Sequence, residues 1–115
     1  MNNQNVTSVT AILDIFVSGV KEILGNHLKK ILLFGSYARG DYTESSDIDI
    51  MILTDLSDTE IEKYKEEIWN FAYDIELENN VMFSALVKNM EKYNQRLDIV
   101  PFYMNVENEG VALYG

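Results

Sequence analysis

Between Thr7 and Leu24 the apolar residues Val9, Ile12, Leu13, Phe16, Val17, Val20, Ile23 and Leu24 recur at spacings of three and four. That spacing puts them on one face of an amphipathic helix. Thr7 or Ser8 can cap its start, and Gly25-Asn26 can end it. After Lys29-Lys30 comes Ile31-Leu32-Leu33-Phe34, a continuous apolar run stopped by Gly35, which reads as a strand buried on both faces. Asp47-Ile48-Asp49-Ile50-Met51-Ile52-Leu53 begins as alternation and ends fully apolar, so a second strand carries its polar residues at its start. Ser57-Asp58-Thr59-Glu60 has the form of a capping box, and Ile61, Tyr64, Ile68, Phe71, Ala72 and Ile75 then mark the buried stripe of a second long helix that ends between Leu77 and Asn80.

Beyond that helix the pattern is shorter-ranged. Val81 to Val87 predicts a third strand, and Leu97 to Val100 either a short strand or the lead into a turn at Pro101. Phe102 to Leu113 predicts a short helix broken at Gly110. Tyr64, Trp69 and Phe71, at helical spacing, and the pair Met82-Phe83 are expected in the core. The order of elements, without an internal repeat, predicts one domain over residues 1–115 of the α/β (α+β) type, a small mixed sheet flanked by helices.

Composition narrows the chemistry. The 115 residues contain no Cys and one His, which excludes disulfides, thiolate zinc sites, a Cys nucleophile and His-rich metal sites. His27 follows Gly25-Asn26 and reads as a solvent-facing turn residue. Met1 to Asn5 is polar with no basic region ahead of an apolar run, and no apolar stretch reaches the ~20 residues that span a bilayer, so a cytoplasmic protein is expected. Nine Lys and Arg against 19 Asp and Glu give a net charge of −10, which repels a phosphate backbone and argues against broad nucleic-acid binding. A phosphate ligand must therefore arrive with cations. The acids at Glu60, Glu62, Glu66 and Glu67, interleaved with Lys63 and Lys65, read as an exposed helix face.

One segment carries chemistry: Phe34 to Ile50. Residues two apart on a strand share a face, so Asp47 and Asp49 present two carboxylates side by side while Ile48 and Ile50 face the other way. Hard oxygen donors of this kind suit Mg²⁺ completed by phosphates and waters, and two such ions could hold the attacking and leaving oxygens of a phosphoryl or nucleotidyl transfer. Gly35-Ser36 ends the first strand, where a glycine admits a phosphate to the backbone and a helical turn offers free N–H groups. Ser36 adds a hydroxyl, and Arg39, three residues on, can reach the same phosphates. Tyr37 can touch nucleotide or partner, or simply pack. A P-loop would need Lys and Ser or Thr after Gly40, where Asp41-Tyr42 stand; an EF-hand from Asp41 would need Gly and Glu where Ser46 and Ile52 stand.

Phe34-Gly35-Ser36, ten residues, then Asp47-Ile48-Asp49-Ile50 resembles the signature of the nucleotidyltransferase superfamily related to DNA polymerase beta. Gly35-Ser36-Tyr37-Ala38-Arg39-Gly40 with Ser46-Asp47-Ile48-Asp49 looks like its minimal nucleotidyltransferase (MNT) branch. The resemblance implies the nucleotidyltransferase fold, Gly35, Ser36 and Arg39 on the triphosphate of ATP, Asp47 and Asp49 as catalytic carboxylates on Mg²⁺, and a third carboxylate on a later strand that activates the attacking hydroxyl. The chain departs from the pattern there: Val81 to Val87 holds no Asp or Glu, and only Asn79, Asn80 and Ser84, with Glu76 and Glu78 before them, stand near that place.

Proteins that resemble this one are often encoded beside a small helical HEPN-type protein and act as its antitoxin by transferring AMP from ATP to a tyrosine on it. Little surface remains on this chain for nucleobase and acceptor once the core is counted, which implies a partner of that kind or a homodimer mate. Two alternatives stand beside the protein adenylyltransferase. One is a degenerate module that neutralises its partner by contact. The other is transfer to a small molecule, as in relatives that carry an additional domain.

Overall fold

The computed structural model describes residues 8–115; the polar Met1 to Asn5 segment and Thr7 lie outside the described residues. Helix α1 (Val9–Leu24) is capped by Ser8, whose hydroxyl accepts the Ala11 N–H at 3.2 Å. A 3₁₀ turn over Gly25–His27 leads into β1 (Leu28–Phe34), followed by the one-turn helix α2 (Ser36–Arg39) and β2 (Ile48–Thr54). Helix α3 (Asp58–Asn79) starts with the expected capping box, in which Ser57 and Glu60 each bond the other's backbone N–H. β3 (Phe83–Asn89), α4 (Met90–Gln95), α5 (Pro101–Glu109) and β4 (Val111–Tyr114) complete the chain.

The sheet has the order β3-β2-β1-β4, with β1 antiparallel to β2 and β4, and β2 parallel to β3. Its mixed character is the one expected. Alternation sends Ile31, Leu33, Ile48, Ile50 and Ile52 to one face, where they pack with Phe16 and Val20 of α1 and Ile68 and Ile75 of α3. The opposite face presents Leu32, Phe34, Met51 and Leu53 to Tyr93 of α4 and Val106 of α5. Covering both faces is what lets β1 and β2 be apolar at successive positions.

The structure differs from the sequence reading in three places and decides between two alternatives in a fourth. β3 begins at Phe83 because Val81 and Met82 belong to the turn, where Asn80 adopts the left-handed conformation and the Glu76 carboxylate accepts the Phe83 N–H at 2.6 Å. Leu97 to Val100 is the lead into a turn: Ile99 and Val100 both bond the Arg96 carbonyl, and Pro101 starts α5. The short α4 and the edge strand β4 go unpredicted. Trp69 is 52% exposed and Met82 59% exposed, so neither is core. Trp69 follows the buried Ile68 by one residue, about 100° round the helix. Tyr64, Phe71 and Phe83 do pack against the core, with the Phe16 ring stacked on Phe83 at 4.7 Å and on Phe71 at 6.3 Å.

Phe71 reaches Phe16 across α1 at Gly19, where an added Cβ would collide with the Phe71 ring. Gly19 is therefore a contact surface as well as a helix residue. Exposed helical Gly→Ala changes gain about 1 kcal/mol, whereas overpacking costs about 1–3. Gly19→Ala is expected to lower the denaturant midpoint, by a net cost of about 1 kcal/mol, and Phe71→Leu in the same chain to restore it; a gain in the single variant would show that the ring swings away freely.

Candidate active site

β1 delivers the chain to Gly35 at one end of the sheet. There φ is 73° and ψ is −156°, a region open essentially to glycine. The turn that follows is closed by Ala38 and Arg39 N–H groups on the Gly35 carbonyl, both at 3.1 Å, and Gly40 in the left-handed conformation ends it. The N–H groups of Ser36 and Tyr37, at the head of this turn, have no acceptor among the described residues. Tyr37 stacks on Tyr42 with centroids 4.1 Å apart and planes 8° from parallel, which folds the next loop back over α2. Burial, with Tyr42 beside it, raises the Tyr37 pKa.

A tight turn over Thr43 to Ser46, held by the Thr43 N–H on the Ser46 hydroxyl at 2.9 Å, redirects the chain to Asp47. Ile48 N–H then bonds the Met82 carbonyl at 2.7 Å and starts β2. In the β1–β2 register Phe34 lies opposite Asp49, so the Asp49 side chain stands against the bare Cα of Gly35, at the spot a Cβ would need. Asp47 sits two residues earlier, just ahead of the strand and exposed. The structure thus brings Gly35, Ser36, Arg39, Asp47 and Asp49 to one end of the two central strands.

A residue from the far end of the sequence joins them. Glu109, the last residue of α5, accepts the Gly35 N–H at 3.0 Å and meets the Arg39 guanidinium at 3.3 Å, while Arg39 Nε donates to Asp41 at 3.2 Å. A carboxylate thereby occupies a backbone donor of the very kind a phosphate oxygen would use. No motif announced Glu109; the only signal was an acidic residue next to Gly110, where the tail helix was expected to break. Glu76 is spent on the Phe83 amide and Glu78 is on the exposed side of α3, so neither supplies a third carboxylate beside Asp49. The β3 residue paired with Asp49 is Ser84.

Burial and the adjacent Asp47 charge raise the Asp49 pKa; Arg39 lowers it, and Glu109 adds a further upward push. The site therefore carries an excess of negative charge. The donors are hard oxygens, the chemistry Mg²⁺ prefers, yet among the described residues no three His, Cys, Asp or Glu side chains form a metal-holding group. Asp47 and Asp49 thus fit an ion that takes its remaining ligands from phosphate and water.

A hydrophobic-Gly-Ser turn and an Asp-x-Asp strand start, joined on a mixed sheet between helices, define a nucleotidyltransferase. The chain belongs to the nucleotidyltransferase domain family, whose model matches residues 13–111. Among relatives, "Putative protein adenylyltransferase MJ0604" of Methanocaldococcus jannaschii is 38% identical over 99 residues, 86% of this chain and 91% of that protein. "Putative protein adenylyltransferase MJ0141" of the same organism is 33% identical over 105 residues, 91% of this chain and 98% of the relative. Among solved structures, a chain of a mutant toxin–antitoxin pair, MntA-HpeT, aligns with a TM-score of 0.48 and 23% identity over 86% of this chain and 72% of that one.

Two outcomes follow from the Gly35–Asp49 contact. Gly35→Ala is expected to cost about 1–3 kcal/mol in chemical denaturation, from its backbone conformation alone, and to displace the Asp49 carboxylate. Asp49→Asn is expected to do the reverse. A carboxyl whose folded pKa lies above its unfolded value destabilises the fold above that interval, and stability returns as pH falls through it toward the unfolded value. At neutral pH the Asn variant should therefore be the more stable, with the difference vanishing in thermal melts taken below the carboxylate range. An unchanged or lower melting temperature at neutral pH would mean that Asp49 is not under charge strain.

Proposed function

We propose that this protein transfers AMP from ATP to a hydroxyl of a protein partner, the tyrosine of a small HEPN-type toxin, and so acts as its antitoxin. The observation that carries this reading is the Asp49 carboxylate packed against the bare Cα of Gly35, beside the Ser36 and Tyr37 amides that have no acceptor among the described residues. The Ser36 and Tyr37 amides, the Ser36 hydroxyl and Arg39 would hold the triphosphate, and Asp47 and Asp49 would hold Mg²⁺. Bound there, Mg²⁺ would neutralise charge on the reacting phosphates. The triphosphate would take the Gly35 amide and Arg39 from Glu109, so that binding replaces one anion by another. The acceptor oxygen bonds to the α-phosphorus as the bond to pyrophosphate breaks, and the acceptor proton leaves to a base. A reaction that consumes ATP belongs in the cytoplasm.

Ser84 at the register position beside Asp49 favours a second reading. A carboxylate base missing there would slow proton removal by roughly 10²- to 10⁴-fold, and neutralisation by contact alone would then suffice. Incubation with Mg²⁺ and each labelled nucleoside triphosphate, with and without the co-purifying partner, separates the two by intact mass. The expected result is a nucleotide-sized gain on the partner with ATP, lost in Asp47→Asn/Asp49→Asn. A stable complex with no gain on either chain would replace the enzyme by the contact antitoxin.

A further inference from the structure

The chain has nine basic residues in all, and four of them, Lys65, Lys88, Lys92 and Arg96, line one cavity of about 160 Å³. This cavity lies at the other end of the sheet. Asp49 pairs with Ser84 at the start of β3, and Lys88 pairs with Leu53 near its finish, about 13 Å further along the strand. Two carboxylates also line it: Asp58, 2.8 Å from the Lys92 ammonium, and Glu62, 2.6 Å from that of Lys65. Lys88 and Arg96 have no carboxylate partner among the described residues. The charged lining therefore sums to 4 − 2 = +2 in a chain of net charge −10. The N-terminal end of the 22-residue α3, with its positive partial charge, opens on the same space through Asp58 and Ile61.

These cations already act on an anion. The Asp58 carboxyl is held below its usual pKa by the hydrogen bond and charge of Lys92, with Lys88 and Arg96 contributing. Like-charged side chains gathered around a concavity repel one another and gain from an anion of charge two or more. An Arg fork beside ammonium groups suits phosphoryl oxygens. The cavity's volume is that of about one benzene-sized molecule, which leaves room for one or two phosphoryl groups.

We propose that the cavity between Asp58, Lys65, Lys88, Lys92 and Arg96 is a second anion site, which takes the phosphoryl end of a small phosphorylated ligand, with Asp58 as the resident carboxylate that the ligand displaces. It is independent of the Asp47–Asp49 end and of the transfer reaction proposed there.

Inorganic pyrophosphate without divalent cations is the probe, titrated into protein carrying Ser36→Ala and Arg39→Gln to silence the other phosphate turn. Calorimetry gives the affinity and amide chemical shifts locate the site. Expected are shifts at residues 58–65 and 87–96, at least about tenfold weaker binding after Lys88→Gln/Arg96→Gln, and tighter binding after Asp58→Asn. The Lys88→Gln/Arg96→Gln change in the otherwise native chain should leave nucleotide transfer and the ligand-free melting temperature unchanged. Affinity indifferent to these substitutions, shifts confined to residues 35–39, or an equal effect of sodium chloride at matched ionic strength would overturn the proposal. So would binding of a long RNA but not of pyrophosphate.

Discussion

The contact between the Asp49 carboxylate and the Cα of Gly35 organises this end of the molecule. It exists because β1 and β2 pair antiparallel with Phe34 opposite Asp49 and because position 35 has no side chain. The same glycine adopts a backbone conformation that an L-residue resists, which turns the chain sharply into α2. One residue thus sets both the direction of the turn into α2 and the distance at which a carboxylate stands from it. A one-residue slip in the register would turn Asp49 into the core and Ile48 or Ile50 out of it.

The charges around that contact are in unresolved tension, and the tension is useful. Asp47, Asp49 and Glu109 outnumber Arg39, which is shared between Asp41 and Glu109. Such an excess raises the affinity of the site for cations. Glu109 adds to that excess, yet its carboxylate also satisfies the buried Gly35 N–H, which would otherwise lack a partner. The opposite end of the sheet has the reverse imbalance, with cations concentrated where α3 begins and β3 ends. Five of the nine cations, Arg39 and the four of this cavity, thus stand at the two opposite ends of the sheet.

Much of this was readable from local pattern. The faces of α1 and α3, the capping box at Ser57, the doubly buried β1 and β2 and the Gly35-Ser36 to Asp47-x-Asp49 spacing all depend on residues a few positions apart, where helix and strand geometry dictate which side chains share a face. Local order also placed the Gly35-Ser36 turn and the carboxylates at adjoining strand ends. Trp69 shows the limit: helical spacing marks a hydrophobic residue without saying whether a neighbour will cover it.

What the tertiary structure decided lies in long-range pairing. β4 is four residues long and becomes a strand only because β1 presents a free edge to it. Glu109 reaches Gly35 across 74 positions of sequence because α5 packs Val106 on the sheet face away from α1 and α3 and ends beside the turn. Lys65, Lys88, Lys92 and Arg96 come together from three elements for the same reason. Local pattern carried α1, β1, β2 and α3 and the spacing of one loop, because backbone periodicity and glycine conformations act over a few residues. Which distant charges meet that loop, and which meet each other, was set by packing on two faces of a sheet, which no local pattern encodes.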